Sequence, residues 1–132
     1  MTRPFRDLII GVDAGTSVMK AVVFSADGEE LAIATRPNHV MHGPQGRAEQ
    51  DMDATWADLV AVLDELVARE PGLAERPAAL ALTGQGDGTW LIDAEGRPVG
   101  PALLWLDGRS GELVRQWQQT GIAAQVAALT GT

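Results

Sequence analysis

The chain has 132 residues, enough for one domain with a core of its own, and a formal net charge of −8, which leaves no basic face for nucleic acid or an anionic membrane. Apolar residues make up 45% and charged residues 21%, a globular mix, and the absence of Cys excludes disulfides, thiolate metal sites and a Cys nucleophile. No apolar run reaches the length of a membrane span, and residues 1–7 lack the apolar stretch of a secretory leader, so the expectation is a soluble cytoplasmic protein.

Leu8-Ile9-Ile10-Gly11-Val12 is a short apolar run that predicts a buried strand. Asp13-Ala14-Gly15-Thr16-Ser17 then turns the chain, and the Val-rich residues 19–24 predict a second strand. Asp27-Gly28 is a favoured pair for a tight hairpin turn, after which residues 31–35 pair back as a third strand. The opening is thus an antiparallel meander. Residues 36–50 are polar and hold Pro37, Gly43, Pro44 and Gly46, which predicts a loop; His39 and His42 within it suit a solvated loop rather than a metal site.

A helix follows, with Trp56, Leu59, Val60, Leu63 and Val67 spaced along one face, Asp53 as its N-cap and Pro71-Gly72 as its stop. Residues 78–82 predict a short buried strand that runs into Thr83-Gly84-Gln85-Gly86-Asp87-Gly88. Trp90-Leu91-Ile92 and Ala102-Leu103-Leu104-Trp105 flank a turn at Glu95-Gly96 and predict a hairpin. Ser110 can cap a helix that runs through Trp117 and ends at Gly121, with a last short helix over residues 122–129. The order βββ-α-β predicts an α/β fold: a mixed sheet with the meander at one side and a crossover helix, the opening of an RNase H-like domain.

Two common phosphate motifs are absent. There is no G-x-x-x-x-G-K-[ST], and the third Gly of a dinucleotide loop begun by Gly84-Gln85-Gly86 would fall on Thr89. The opening turn has phosphate chemistry of another kind. Gly15 permits close backbone approach, Thr16 and Ser17 add N–H and hydroxyl donors, Asp13 can hold Mg2+ through water, and Lys20 can reach a phosphate as a point charge. The same residues also suit an ordinary β-turn.

Gly11-Val12-Asp13-Ala14-Gly15-Thr16-Ser17 resembles the first phosphate motif of the sugar-kinase, actin and heat-shock-chaperone superfamily, whose fold is the actin-like ATPase fold. Three later segments resemble the FGGY carbohydrate kinases within it, in family order. Ala48-Glu49-Gln50-Asp51 is similar to the "EQD" segment, although Met52 stands where Pro often follows. Thr83-Gly84-Gln85 is similar to the "SGQ" or "TNQ" substrate loop, and Leu104-Trp105-Leu106-Asp107-Gly108-Arg109-Ser110 to the "LWxDxR[ST]" segment.

The resemblance implies Mg-ATP-dependent phosphorylation of a small polyol or ketose held between two RNase H-like domains, with ATP and Mg2+ as cofactors. It assigns Asp13, Gly15, Thr16, Ser17 and Lys20 to the nucleotide, with Asp13 also serving Mg2+. It assigns Gln85, Asp87, Trp105 and Asp107 to the substrate wall. Asp87 falls where glycerol kinases have a Glu and xylulokinases a His; it also suits a turn between Gly86 and Gly88. Trp105 suits either a carbon-chain contact or plain core. Asp107 and Arg109 suit either a substrate wall or a structural ion pair at a helix start. Gly86 replaces the Arg of glycerol kinases, which tells against glycerol, and residues 84–90 resemble the erythritol-kinase branch most; a xylulokinase- or ribulokinase-like activity is the alternative. The family's catalytic Asp, second phosphate loop and adenosine pocket fall downstream of Thr132. The expectation is therefore a partial N-terminal kinase domain over residues 1–132, inactive alone and able to self-associate. A non-catalytic binding module is the rival from another class.

Overall fold

A computed structural model describes residues 6–131. The expectations about the first five residues and about Thr132 lie outside the described residues.

The meander forms as expected and runs slightly longer. β1 (Leu8–Ala14) pairs antiparallel with β2 (Val18–Ser25), which pairs antiparallel with β3 (Glu30–Pro37). Alternation decides which face is buried. Leu8, Ile10 and Val12 of β1, Met19, Ala21 and Val23 of β2, and Ala34 of β3 all point to one side and are buried there. The Asp27-Gly28 turn closes with Gly28 at φ +86, a left-handed position, and Gly28 N–H donates to the Ser25 carbonyl at 3.0 Å.

Residues 36–50 correct the expectation of a loop. β4 (Met41–Gly43) and β5 (Arg47–Gln50) form a hairpin across a 3-10 turn at Pro44–Gly46, where Gln45 and Gly46 both take positive φ. These strands are too short and polar to show alternation; they pair with each other, and Glu49 and Gln50 also pair with residues 102–103 far along the chain.

α1 (Met52–Arg69) lies over the buried face of β2 and β3. Its N-cap is Asp51, not Asp53: the Asp51 carboxylate accepts the Ala54 N–H at 3.0 Å, and Asp53 sits inside the first turn. The buried stripe also differs from the expected one. Val62 and Leu66 are buried, with Leu59 and Leu63 packed against the same core, whereas Trp56, Val60 and Val67 are exposed. The helix thus carries two neighbouring apolar stripes, and a period count finds both without telling which one meets the sheet. Leu73, in a 3-10 turn after the helix, closes the core.

β6 (Pro77–Gly84) returns parallel to β1, so the sheet order is β3-β2-β1-β6. This is the predicted mixed sheet. Arg76 anchors the return: its guanidinium donates to the Asp7 carboxylate at 2.9 and 2.7 Å, and its carbonyl accepts from the Asp7 and Leu8 N–H groups. The expected burial of this strand is corrected. Leu80 is 56% and Leu82 61% exposed, because β6 is the sheet edge and α1 leans toward β2 and β3 at the other side.

The expected hairpin forms with its first strand displaced: β7 is Gly88–Thr89 rather than residues 90–92, where only a bridge between Ile92 and Pro98 forms, and it pairs with β8 (Ala102–Leu104) across a turn with Gly96 at φ +79. β8 also pairs with β5, which gives a second sheet of order β4-β5-β8-β7. α2 (Gly111–Thr120) and α3 (Ile122–Thr130) pack together across Gly121, which takes φ +79. Ser110 stands before α2 without a side-chain capping bond; Asp107 accepts the Arg109 N–H at 3.0 Å and caps the 3-10 turn that leads into it.

Candidate nucleotide and acceptor site

The site grows from the carboxyl ends of two neighbouring parallel strands. Register places Asp13 beside Thr83 and Ala14 beside Gly84, so the turn after β1 and the loop after β6 leave the same sheet edge together. Such edges are where open α/β sheets bind ligands. Both departures need glycine for space. A Cβ on Gly15 would lie 2.8 Å from the Val18 carbonyl oxygen, to which Gly15 itself donates at 3.1 Å. A Cβ on Gly84 would lie 3.1 Å from the Ala14 carbonyl oxygen.

The turn is braced from behind through its carbonyls. Asn38 Nδ2 donates to Gly15 O at 2.9 Å, Asn38 N–H donates to Ser17 O at 2.8 Å, and Gln50 Nε2 donates to Thr16 O at 2.8 Å. The backbone N–H groups of Thr16 and Ser17 donate to no group among the described residues. Carbonyls satisfied and amides free is the polarity of an anion cradle, since free N–H groups favour negative charge. Asn38 and Gln50 are buried to do this work, and sequence reasoning missed both roles. Gln50 carried a signal, its place in the "EQD" segment; Asn38, in a polar stretch, carried none.

Asp13 and Lys20 face each other in β1–β2 register, both exposed, with no ion pair between them among the described residues. A single free carboxylate beside free amides fits Mg2+, which takes one or two carboxylates and completes its shell from phosphate and water. Among the described residues no group of His, Cys, Asp and Glu is arranged to hold a metal alone.

Across the edge, Gln85 Nε2 donates to Gln50 Oε1 at 2.8 Å. Asp87 is exposed between Gly86 and Gly88 and makes no hydrogen bond among the described residues. Gly88 takes φ +137, and a Cβ there would lie 2.8 Å from the Leu103 carbonyl oxygen, so this loop is pressed onto β8. Trp105, 62% exposed, places its Nε1 3.4 Å from Thr16 Oγ1. The structure therefore brings Thr16, Gln85 and Trp105 to one surface.

Asp107 lies behind that surface. Its carboxylate accepts the Ala48 N–H at 2.9 Å and the Arg109 guanidinium at 2.7 to 3.1 Å. Arg109 also donates to Glu49 at 2.6 Å, and Glu49 pairs with Arg47 at 3.3 Å. The "EQD" and "LWLDGR" segments are thus locked together by charge. Hydrogen bonds from Arg109, then from the Ala48 N–H, hold the Asp107 carboxyl far below the usual carboxylate range, and the same pairing raises Arg109. An apolar cavity of about 440 Å³ lies to one side, between Trp56, Leu82, Trp90, Ile92 and Pro98. Asp13, Asp87 and Trp105 do not line it, so the candidate site is an open wall rather than that cavity.

Known proteins resemble this chain in sequence and in fold. Residues 8–132 match the N-terminal domain of the FGGY family of carbohydrate kinases. The chain is 49% identical over 108 residues to the erythritol kinase of Brucella abortus (strain 2308), covering 82% of this chain and 21% of that protein. It is 35% identical over 128 residues to the glycerol kinase of Gluconobacter oxydans (strain 621H), covering 96% of this chain and 25% of that protein. The crystal structure of xylulose kinase from Rhodospirillum rubrum superposes with a TM-score of 0.77 at 30% identity, over 86% of this chain and 23% of that one. The chain thus spans about a quarter or less of the length of the relatives it matches. No helix among the described residues is long and apolar enough to cross a membrane. On sequence and on fold together, the chain belongs to the FGGY family of carbohydrate kinases, and its mixed sheet is the opening of their actin-like ATPase fold.

Proposed function

We propose that the protein carrying this chain transfers the γ-phosphoryl group of ATP to a hydroxyl of a small polyol, with erythritol the first substrate to test. In this reading the chain supplies the first phosphate turn and one wall of the acceptor site. The observation that carries it is the juxtaposition at the shared sheet edge: Trp105 Nε1 lies 3.4 Å from Thr16 Oγ1, so the turn with free amides and the acceptor wall form one surface. Phosphoryl transfer requires this nearness, because donor phosphorus and acceptor hydroxyl must meet in line.

Each residue has a task its chemistry suits. The Thr16 and Ser17 amides and hydroxyls hold phosphate oxygens, and Lys20 adds a cation at the rim. Asp13 holds Mg2+ through water; the metal, when bound, neutralises charge on the phosphate chain. Asp87, free in its loop, accepts hydrogen bonds from neighbouring hydroxyls, and the Trp105 ring packs on the C–H face of the carbon chain. Gln85 orders the loop, and Asp107 supports the wall from behind through Arg109 and Ala48. Support for erythritol comes from residues 84–90 and from the 49% identity to an erythritol kinase.

The test is ATP-dependent phosphorylation by the full-length protein across erythritol, xylulose, ribulose and glycerol. Erythritol should have the highest kcat/KM, with glycerol poor because Gly86 replaces an Arg. Higher kcat/KM for a ketose would move the assignment to the xylulose branch. No turnover with any of the four, from a protein that binds MgATP, would remove the polyol kinase reading.

A further inference from the structure

The turn and the acceptor loop are joined by a chain of two amides. Thr16 O can only accept, so the group of Gln50 facing it at 2.8 Å is the NH2. That leaves Gln50 Oε1 as an acceptor, and the group of Gln85 facing it at 2.8 Å must also be an NH2. One carbonyl thereby sets the polarity of both side chains. Gln50 is fully buried, at the end of β5 just before the cap of α1, so it cannot turn to water for another partner. The outer end of the relay is unsatisfied: Gln85 Oε1 is buried without a hydrogen-bond partner among the described residues. It is an acceptor, and a hydroxyl or water donor satisfies it. The relay has fixed polarity and links the turn at Thr16 to the loop at Gln85 through two hydrogen bonds, with its outer acceptor unsatisfied.

We propose that Gln50 is a positioning residue that couples the two halves of the site, so that filling the acceptor loop changes the affinity of the phosphate turn for nucleotide. What the two ends bind rests on the kinase reading above; the relay itself rests on geometry alone. By linkage the effect is reciprocal.

The test uses the full-length protein and the variants Gln50→Met, Gln85→Met and Asp87→Ala. MgADP affinity is measured by calorimetry with and without the polyol it phosphorylates best, alongside backbone hydrogen exchange over residues 14–18. Gln85→Met, which removes a group that does not face the nucleotide turn directly, should weaken MgADP binding about three- to tenfold and speed exchange over residues 14–18. Asp87→Ala should leave both unchanged while weakening the polyol. The factor by which polyol changes MgADP affinity should fall to about one in either Met variant. Gln85→Glu adds a pH profile: its protonated carboxyl can donate to Gln50 Oε1 and its carboxylate cannot, so MgADP affinity should recover as the pH falls through that group's titration.

Wild-type exchange at residues 14–18 in Gln85→Met, or an unchanged polyol factor, would overturn the coupling. If Gln50→Met fails to fold, Gln85→Met decides by itself, since Gln85 is only half-buried. If the protein binds neither nucleotide nor polyol, the kinase reading fails, and the exchange comparison still decides the relay.

Discussion

At the scale of single residues, Asp13 and Asp107 show how one side-chain type takes opposite roles. The carboxylate of Asp13 is exposed and without a partner among the described residues, and the proposed function gives it Mg2+. In the full-length protein Asp13→Ala should leave the fold intact and lower kcat about a hundredfold or more, as when a charge-stabilising group at a transferring centre is lost; near-normal turnover would sink its role. Asp107 is instead saturated by Arg109 and Ala48. Its carboxyl is held below its ordinary value, so the unfolded chain takes up protons first as the pH falls. The stabilisation is therefore full above about pH 4, the ordinary Asp value, and is lost progressively below it. Asp107→Asn should be less stable than wild type near neutrality and show a shallower loss below about pH 4, read from Tm against pH. An unchanged acid slope would contradict this. Asp7, held low chiefly by its hydrogen bonds from Arg76, titrates in the same sense.

At the scale of elements, α1 separates buried from exposed apolar residues with unusual clarity. Leu66 is fully buried against the meander, and Leu66→Ala should destabilise the isolated chain by about 2–5 kcal/mol in chemical denaturation. Trp56, 65% exposed on the same helix, should tolerate Ser within about 0.5 kcal/mol in that chain at concentrations where it is monomeric. Comparable losses at both positions would mean that the two stripes are buried alike. The helix start gives a second contrast. Asp51→Ala should cost about 1 kcal/mol because the Ala54 N–H loses its acceptor, whereas Asp53→Ala removes only a dipole interaction worth some tenths.

At the scale of the whole molecule, the described surface is uneven. β6 forms a sheet edge with Leu80 and Leu82 exposed, Trp56, Val60 and Val67 lie uncovered on α1, and an apolar cavity opens between Trp56 and Leu82. Open strand edges and contiguous apolar patches promote association. The isolated residues 1–132 should therefore form dimers or larger species in light scattering, and Leu82→Lys with Trp56→Lys should shift them toward monomer. A clean monomer without those changes would refute this. On the proposed kinase reading the same isolated chain supplies one phosphate turn and one acceptor wall, so it should release no ADP in response to any polyol; substrate-dependent ADP release would refute that claim outright.

Local chemistry was legible in the sequence wherever a short stretch decides its own geometry. The meander follows from the apolar run at residues 8–12, the Val-rich run at 19–24 and the Asp27-Gly28 turn, the glycine turns from the absence of a Cβ, and the turn at Asp13-Ala14-Gly15-Thr16-Ser17 from the close approach that Gly15 allows. Motif spacing likewise identified the family. Only the tertiary structure decided matters that depend on partners far along the chain. β5 lies inside a sheet because β8, some 50 residues later, pairs with it at Glu49 and Gln50. The inner stripe of α1 is the one that meets the sheet, although both stripes repeat with helical period. β6 is exposed because it lies at the sheet edge, which no local hydropathy encodes. Asn38 and Gln50 hold the turn at residues 15–17 through hydrogen bonds spanning 23 and 34 residues. A buried amide acquires its meaning from the carbonyl it faces, and that carbonyl is chosen by the fold.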